Sequence, residues 1–277
     1  AEIKVPGIVD GDIITLKSMV SGQVDQMPLK EGTRVAKNDL VVVINSDKTE
    51  NKLEELNISS KEIEINILKL RQKLNLVKSN IQYLENQVQR FKRLRKKNSI
   101  SGEKLESMEL KLLEAKTSEF DIRKSLDSLS VRTQKIENQR KYLQLILKDH
   151  RIKSPVEGIL METFISAGEN VFPNTPLVDI LDTSSLFVEI FIEEQEMSSL
   201  ELGQRARIIM DGLEEKDLSG TVSFFGKKAE FSPKYIISEK ERKSLLYRVK
   251  IAIDRDIDRF KIGMPVTVIL IRNESGS

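Results

Sequence analysis

Residues 53–91 read LEELNISSKEIEINILKLRQKLNLVKSNIQYLENQVQRF, and the spacing within this stretch decides the fold. Apolar positions step by three and four through Leu56, Ile63, Ile67, Leu70, Leu74, Val77, Ile81, Leu84 and Val88 to Phe91, with Ser60 the one polar rung. Sustained over several heptads, this is the seam of a coiled coil. A second ladder runs Leu105, Met108, Leu112, Ala115, Ile122, Leu126, Leu129, Ile136, Leu143 and Leu147, with Glu119, Thr133 and Arg140 at three of its rungs. Folding the chain about Ser99–Ile100 brings the ladders into phase. Phe91 then meets Met108, Leu84 meets Ala115, Val77 meets Ile122, Leu70 meets Leu129 and Ile63 meets Ile136. Asp47 to His150 is therefore expected to be one antiparallel helical hairpin; a dimerising coiled coil is the competing reading.

The turn carries its own signals. Lys92, Arg93, Arg95, Lys96 and Lys97 crowd the end of the first helix, where cations offset the macrodipole. Asn98 suits a left-handed cap, and Ser99 or Ser101 suits the N-cap of the second helix, with Glu103 in its first turn. Gly and Pro are absent from 47–101 and from 103–154. Each helix is expected to be about 45 residues, or roughly 70 Å, long.

On either side of the hairpin the texture is β. Val20–Ile44, shifted by 136 positions, falls on Val156–Ile180 without a gap. Gly22 matches Gly158, Gly32 matches Gly168, Val35 matches Val171, Asn38 matches Asn174 and Ile44 matches Ile180. This is an internal repeat. Each copy has too few apolar residues to bury a face alone, so the two are expected to pair, which brings the ends of the hairpin together. Residues 1–12 are expected to be an extended lead-in broken by Pro6 and Gly7. Beyond Asp182, strands are expected at Leu186–Ile192, Arg205–Met210, Ser219–Phe225, Leu246–Ile253 and Pro265–Ile271, with a helix at Glu193–Leu202. That set suggests a small closed barrel. The charged segment 226–245 reads either as a loop or as a strand extension.

In the 277 residues the net charge is +2 and there is no cysteine. Disulfides and thiolate metal sites are thereby excluded. The basic run Arg90 to Lys97 has no interleaved aromatics for base stacking, so nucleic acid is not an expected partner. No stretch approaches 18 apolar residues, the length that spans a bilayer. The chain opens on Ala1 with strand-like sequence, so a leading segment is expected to have been removed. His150 is the single histidine, Gly-rich phosphate loops are absent, and Glu54-Glu55, Glu193-Glu194 and Glu214-Glu215 lie on expected surfaces. Nothing assembles into a catalytic site, a metal site or a cofactor site, so no enzyme is expected.

Several motifs together resemble a known family. They are Val20-Ser-Gly-Gln-Val24 with Glu31-Gly-Thr-Arg-Val35; Ile152-Lys-Ser-Pro-Val-Glu-Gly-Ile159 with Ala167-Gly-Glu-Asn-Val171; and Gly263-Met-Pro-Val266. In this order around a hairpin they resemble the HlyD-type membrane fusion proteins, or periplasmic adaptors. Ala229-Glu-Phe-Ser-Pro-Lys234, Glu241-Arg242 and Tyr247-Arg-Val-Lys-Ile251 are similar to the YbhG-like branch that serves ABC-type exporters. The resemblance implies an α+β fold: a long antiparallel α-helical coiled-coil hairpin inserted between two halves of a lipoyl-like β-sandwich domain, followed by a small antiparallel β-barrel. The lipoyl-like halves would be 13–46 and 151–182, and the hairpin 47–150 with its turn near 98–102. The barrel would be 183–271 with the lead-in 1–12, and 272–277 a tail.

The resemblance also implies a function. Such adaptors link an inner-membrane transporter, here of ABC type, to a TolC-like outer-membrane channel in tripartite efflux or type I secretion. They self-associate, by implication as a hexamer forming a conduit, and lie in the periplasm, anchored to the inner membrane through an N-terminal segment. Adaptors that engage TolC-like channels carry an Arg-x3-Leu-x6-Ser pattern at the hairpin tip, and Arg90, Leu94 and Ser101 have that spacing across the expected turn. The competing meaning is that Leu94 packs the last helical turn while Ser101 caps the next helix. In Ser46-Asp47-Lys48-Thr49, Lys48 resembles a lipoyl lysine, but the helix replaces the turn that would present it, so an unmodified Lys48 is expected. The alternatives are a lipoyl or biotinyl carrier subunit modified at Lys48, and a structural coiled-coil scaffold.

Overall fold

In chain order the elements begin with β1 (Glu2–Asp10), β2 (Ile13–Lys17), β3 (Gly22–Gln26), β4 (Arg34–Val35) and β5 (Leu40–Ile44). Two long helices follow, α1 (Asp47–Lys96) and α2 (Gly102–Asp149). Then come β6 (Arg151–Lys153), β7 (Gly158–Thr163), β8 (Asn170–Val171), β9 (Pro176–Asp182), β10 (Phe187–Glu193) and the short α3 (Glu194–Met197). The chain finishes with β11 (Arg205–Met210), β12 (Leu218–Phe231), β13 (Leu245–Ile253) and β14 (Pro265–Ile271). The structure, a computed structural model, describes residues 2–210, 218–231, 245–254 and 259–271. The chain divides into two compact units, Ala1–Ile44 with Arg151–Ser277, and Asn45–His150.

In the first unit the repeat becomes two four-stranded sheets, ordered β2-β9-β7-β4 and β6-β5-β3-β8. A shift of 136 residues maps one order onto the other, so the sheets are related by a pseudo-two-fold. The halves exchange their bonds. The Asn38 N–H donates to Ser154 O at 2.8 Å, and the Asn174 N–H donates to Ser18 O at 2.8 Å. Likewise Gly32 donates to Leu160 O and Gly168 to Val24 O, each at 2.8 Å. All four donors have positive φ: 73° and 70° at the asparagines, 80° and 93° at the glycines. These turns need residues that tolerate the left-handed region. Ser18 and Ser154 each donate from Oγ to the carbonyl two residues on, Val20 and Val156, at 2.6 Å. One apolar core serves both sheets, and its members come in matched pairs: Val24 with Leu160, Val35 with Val171, Val41 with Leu177, Ile44 with Ile180.

The other strands of this unit form the expected closed barrel, ordered β1-β10-β13-β12-β11-β14, around Val9, Val188, Ile190, Ile208, Val249, Ile251 and Leu270. Two sequence expectations need correction here, and one open alternative is decided in part. Residues 1–12 are not broken at Pro6 and Gly7: β1 runs through both, pairs with β14 from Glu2 to Ile8, and closes the barrel by pairing Gly7–Asp10 with β10. A Cβ at Gly7 would stand 2.7–2.9 Å from Val188, Ile190 and Glu189 O, so only glycine allows the strands this approach. The helix expected at Glu193–Leu202 stops at Met197, because Ser198 and Ser199 turn their hydroxyls back onto Gln195 O and Glu196 O at 2.9 and 2.7 Å. Finally, 226–231 is a strand extension, since β12 runs on to Phe231. The rest of that segment, 232–244, lies outside the described residues, as do Ser232–Lys234, Glu241-Arg242 and the tail 272–277.

The second unit is the hairpin. At 1.5 Å per residue the 50-residue α1 is about 75 Å long. Ile63, Ile81, Leu84 and Val88 are buried on α1, and Ala115 and Ile122 on α2; Val77, Ile81, Leu84, Met108, Leu112 and Ala115 make one cluster, with Leu84 and Ala115, an expected facing pair, among its buried members. Ion pairs cross beside it, Lys92–Glu109 at 2.9 Å and Glu85–Lys116 at 2.8 Å. The three polar rungs bond along their own helix: Glu119 to Arg123, Arg140 to Glu137, and Thr133 Oγ1 to Leu129 O. At the root, buried His150 has Nε2 3.2 Å from Thr49 Oγ1, tying the two helix ends together.

Candidate functional site: the hairpin tip

The turn between the helices is closed from both sides. Asn98 takes φ 54°, the left-handed conformation that ends a helix and that asparagine tolerates. Its N–H donates to Arg95 O at 2.9 Å, while the N–H groups of Lys97 and Ser99 both donate to Leu94 O, at 3.1 and 3.0 Å. Ser101, extended at φ −71° and ψ 151°, accepts from the Lys104 N–H at 3.3 Å and so caps α2. Of the two serines the sequence offers, Ser101 is the cap. Arg95 adds a strap, with Nη1 donating to Ile100 O at 3.0 Å across the turn.

The Arg-Leu-Ser pattern therefore straddles a rigid corner. Arg90 and Leu94, one turn apart, share a face at the end of α1. Arg90 is exposed and Leu94 half-buried; Ser101, exposed, is on the α2 side. Among the described residues no hydrogen bond or ion pair joins the three to one another. Ser101 has the structural role foreseen for it, as cap, while Leu94 serves the turn through its carbonyl, which accepts the closing bonds. Between Arg90 and Lys104 seven basic side chains stand against Glu103 alone, and Lys92 is held by Glu109, so the corner is strongly cationic.

Sequence reading missed two devices here. The crossing ion pairs have a signal: Lys92 with Glu109 and Glu85 with Lys116 sum to 201, beside a seam that sums to 199. The Arg95 strap has none, because its acceptor is a backbone carbonyl. Lys48 is exposed in the first turn of α1, within the helix. Among the described residues no group of three or more His, Cys, Asp or Glu is arranged to hold a metal ion, and no helix is long and apolar enough to cross a membrane.

Comparison with known proteins gives the chain its kin. No family model matches it. It is 31% identical over 122 residues to a UPF0194 membrane protein of Acidithiobacillus ferridurans, 44% of this chain and 36% of that protein. It is 27% identical over 124 residues to the UPF0194 membrane protein YbhG of Salmonella gallinarum, 45% of this chain and 38% of that one. The match thus spans little more than a third of these curated relatives. Among solved structures, MacA from Actinobacillus actinomycetemcomitans superposes with a TM-score of 0.69 at 17% identity, over 97% of this chain and 78% of that one. The membrane fusion protein Spr0693 from Streptococcus pneumoniae R6 gives 0.57 at 16%, over 98% and 99%. The periplasmic adaptor protein EmrA gives 0.51 at 20%, over 99% and 98%. The chain has the fold of an HlyD-type membrane fusion protein over nearly its whole length, and over less than half of it a sequence kinship with the UPF0194 membrane proteins, YbhG among them.

Proposed function

We propose that this chain is the adaptor of a tripartite efflux or secretion assembly, a non-enzymatic bridge between an inner-membrane transporter and an outer-membrane channel. The observation that carries the reading is the capped, cationic corner at the end of a long two-helix arm, with Arg90 and Leu94 on one side and Ser101 on the other. In this reading those three residues dock a TolC-like channel and the transporter is of ABC type. Copies of the chain associate, as a hexamer, into a conduit. The protein works in the periplasm, held to the inner membrane by an N-terminal anchor. The two pseudo-symmetric sheets, each built from strands of both sequence halves, 13–46 and 151–182, together form a lipoyl-like domain. A carrier role at Lys48 is disfavoured by its place inside α1, and the intact mass of the purified protein checks it.

The test uses the lack of native cysteine. Ser99→Cys at the tip and Lys261→Cys in the barrel unit are each crosslinked in cells of the source organism, and the captured proteins identified. Capture of an outer-membrane channel by the tip variant alone, lost when Arg90→Asp is added, is the expected result. Capture of only other copies of the chain, or the same partners from both positions, refutes the docking role.

A further inference from the structure

The hairpin keeps a set of apolar side chains that its own seam does not use. Ile65, Leu76 and Tyr83 on α1, and Leu113, Phe120 and Val131 on α2, are each more than half exposed. Single exposed apolar residues are ordinary on any surface, but these six are not scattered. Ile65 and Tyr83 are 18 residues, about five helical turns, apart, and Leu76 lies about 20° round the helix from them. Leu113 and Val131 are likewise 18 residues apart, with Phe120 about 20° from them. Each helix thus carries one narrow stripe, about 135° round α1 and about 180° round α2 from its buried seam. The stripes cannot meet within one hairpin.

Their spacings match. Read forward along α1 from Ile65, the steps are 11 and 7; read backward along α2 from Val131, they are again 11 and 7. Laid antiparallel to the α2 of another copy, α1 sets Ile65 against Val131, Leu76 against Phe120 and Tyr83 against Leu113, each pair of residue numbers summing to 196. Two further features agree with that register. Lys69 falls opposite Asp127, both exposed, and Asp127 otherwise meets only Lys124 of its own helix at 3.6 Å. Ile58, exposed and on the same stripe, falls opposite Asn138, within a hollow of about 480 Å³ between Val131 and Tyr142. Lys61 falls opposite Lys135, but at the margin of the face, where both amines reach water.

We propose that the two stripes are the halves of a second seam, through which α1 of one copy of this chain pairs with α2 of the next, both hairpins pointing the same way. Ile58 then enters the hollow beside Tyr142 as a knob enters a hole. The contact is heterologous: one copy offers α1 and its neighbour α2, so a pair leaves one face of each kind free, and pairing continues from copy to copy until it closes. The inference rests on the self-association within the adaptor reading and deepens it, assigning the faces and the register.

The lack of native cysteine permits a direct test. Two full-length versions of the chain, one with Leu76→Cys and the other with Phe120→Cys, are made together in cells of the source organism and treated with an oxidant. Ile65→Cys with Val131→Cys is the second matched pair. Both pairs are expected to give disulfide-linked dimers of the two versions. Leu76→Cys with Val131→Cys is out of register by 11 residues, about 16 Å, beyond the reach of a disulfide, and is expected to link roughly tenfold more slowly or worse. Phe120→Glu, at an exposed position, is expected to slow the link between Ile65→Cys and Val131→Cys by a similar factor, and Leu76→Lys in the other copy to restore it. Equal rates for matched and mismatched pairs, dimers of a single version, or no linkage would overturn the proposal. Capture of a channel from Ser99→Cys reads the adaptor role by itself, so that reading survives each of these three results.

Discussion

Leu84 and Ala115 offer a sharp test of the hairpin register, because the structure sets a large residue opposite a small one. Leu84→Ala removes three carbons from the seam, about 2.4 kcal/mol at about 0.8 kcal/mol per buried methylene. The space left adjoins Ala115 and the half-buried Val77, Met108 and Leu112, which are free to settle into it, so the cost stays near the low end for core Leu→Ala, about 2–3 kcal/mol. Ala115→Leu alone forces the same three carbons into a filled seam, at about 1–3 kcal/mol. If the residues were independent, the double variant would lose the sum, about 3–6 kcal/mol. If they face each other, the swap restores the seam volume, and the double variant should lie within about 1 kcal/mol of the parent. Amide exchange along α1 and α2 reads the opening free energy of the hairpin itself, which a whole-chain melt of two units does not isolate. Additive losses in the double variant would refute the register.

Asn98, at φ 54°, sets the turn. Asn98→Gly should leave exchange at the tip unchanged or slower, while Asn98→Val should weaken the turn by roughly 1–2 kcal/mol; equal protection in both would show that the left-handed cap does not hold the corner. Glu31 is the described carboxylate with a resolved shift. Its Oε1 accepts from the Thr163 N–H at 2.8 Å and from Thr163 Oγ1 at 2.9 Å, which hold its pKa below the usual 4.5. A carboxylate lowered in the folded state contributes stability that is complete above its unfolded pKa and is lost as pH falls through the folded one. The Glu31 resonance should therefore titrate below the ordinary value for its side chain, moving back toward that value in Thr163→Val, where the hydroxyl is gone and the backbone donor stays; a midpoint that ignores this change would rule out the hydroxyl as a cause.

The hairpin was legible because nothing interrupts it. Two long runs without Gly or Pro, 47–101 and 103–154, bearing two ladders in phase, admit few folds, and the cap at Ser101 and the left-handed Asn98 follow from residue type. The repeat was legible from Val20 onward, but its true start is earlier: Leu16-Lys-Ser18 and Ile152-Lys-Ser154 occupy equivalent places, and Ser18 and Ser154 make the same bond. Three matched residues ahead of a change of texture are too short a signal. The exchange of bonds between the halves was invisible, since it runs through backbone atoms. β1 was misjudged because Pro6 and Gly7 look like breakers in any window. Both are accommodated, one where the ladder to β10 ends and the other where only a missing Cβ lets two strands meet. At the tip, composition showed a cationic turn, whereas the Arg95 strap depends on a carbonyl that sequence does not mark.

The exchanged turns also bear on the order in which the molecule is made. Neither half of the repeat completes itself: the turn at Asn38 closes on Ser154, and the turn at Asn174 closes on Ser18. The first half must therefore wait for partners more than about 100 residues downstream, the nearest pairing being Val43 with Arg151, and joining chain ends across that distance costs about 4 kcal/mol in loop entropy. Helix pairing between α1 and α2 begins at a five-residue turn and zips by local contacts, the fast class of folding event. Once zipped as far as Thr49 and His150, it holds the ends of the long loop within bonding distance. The arm thus acts as an intramolecular template, and destabilising its root should slow the maturation of sheets it does not belong to.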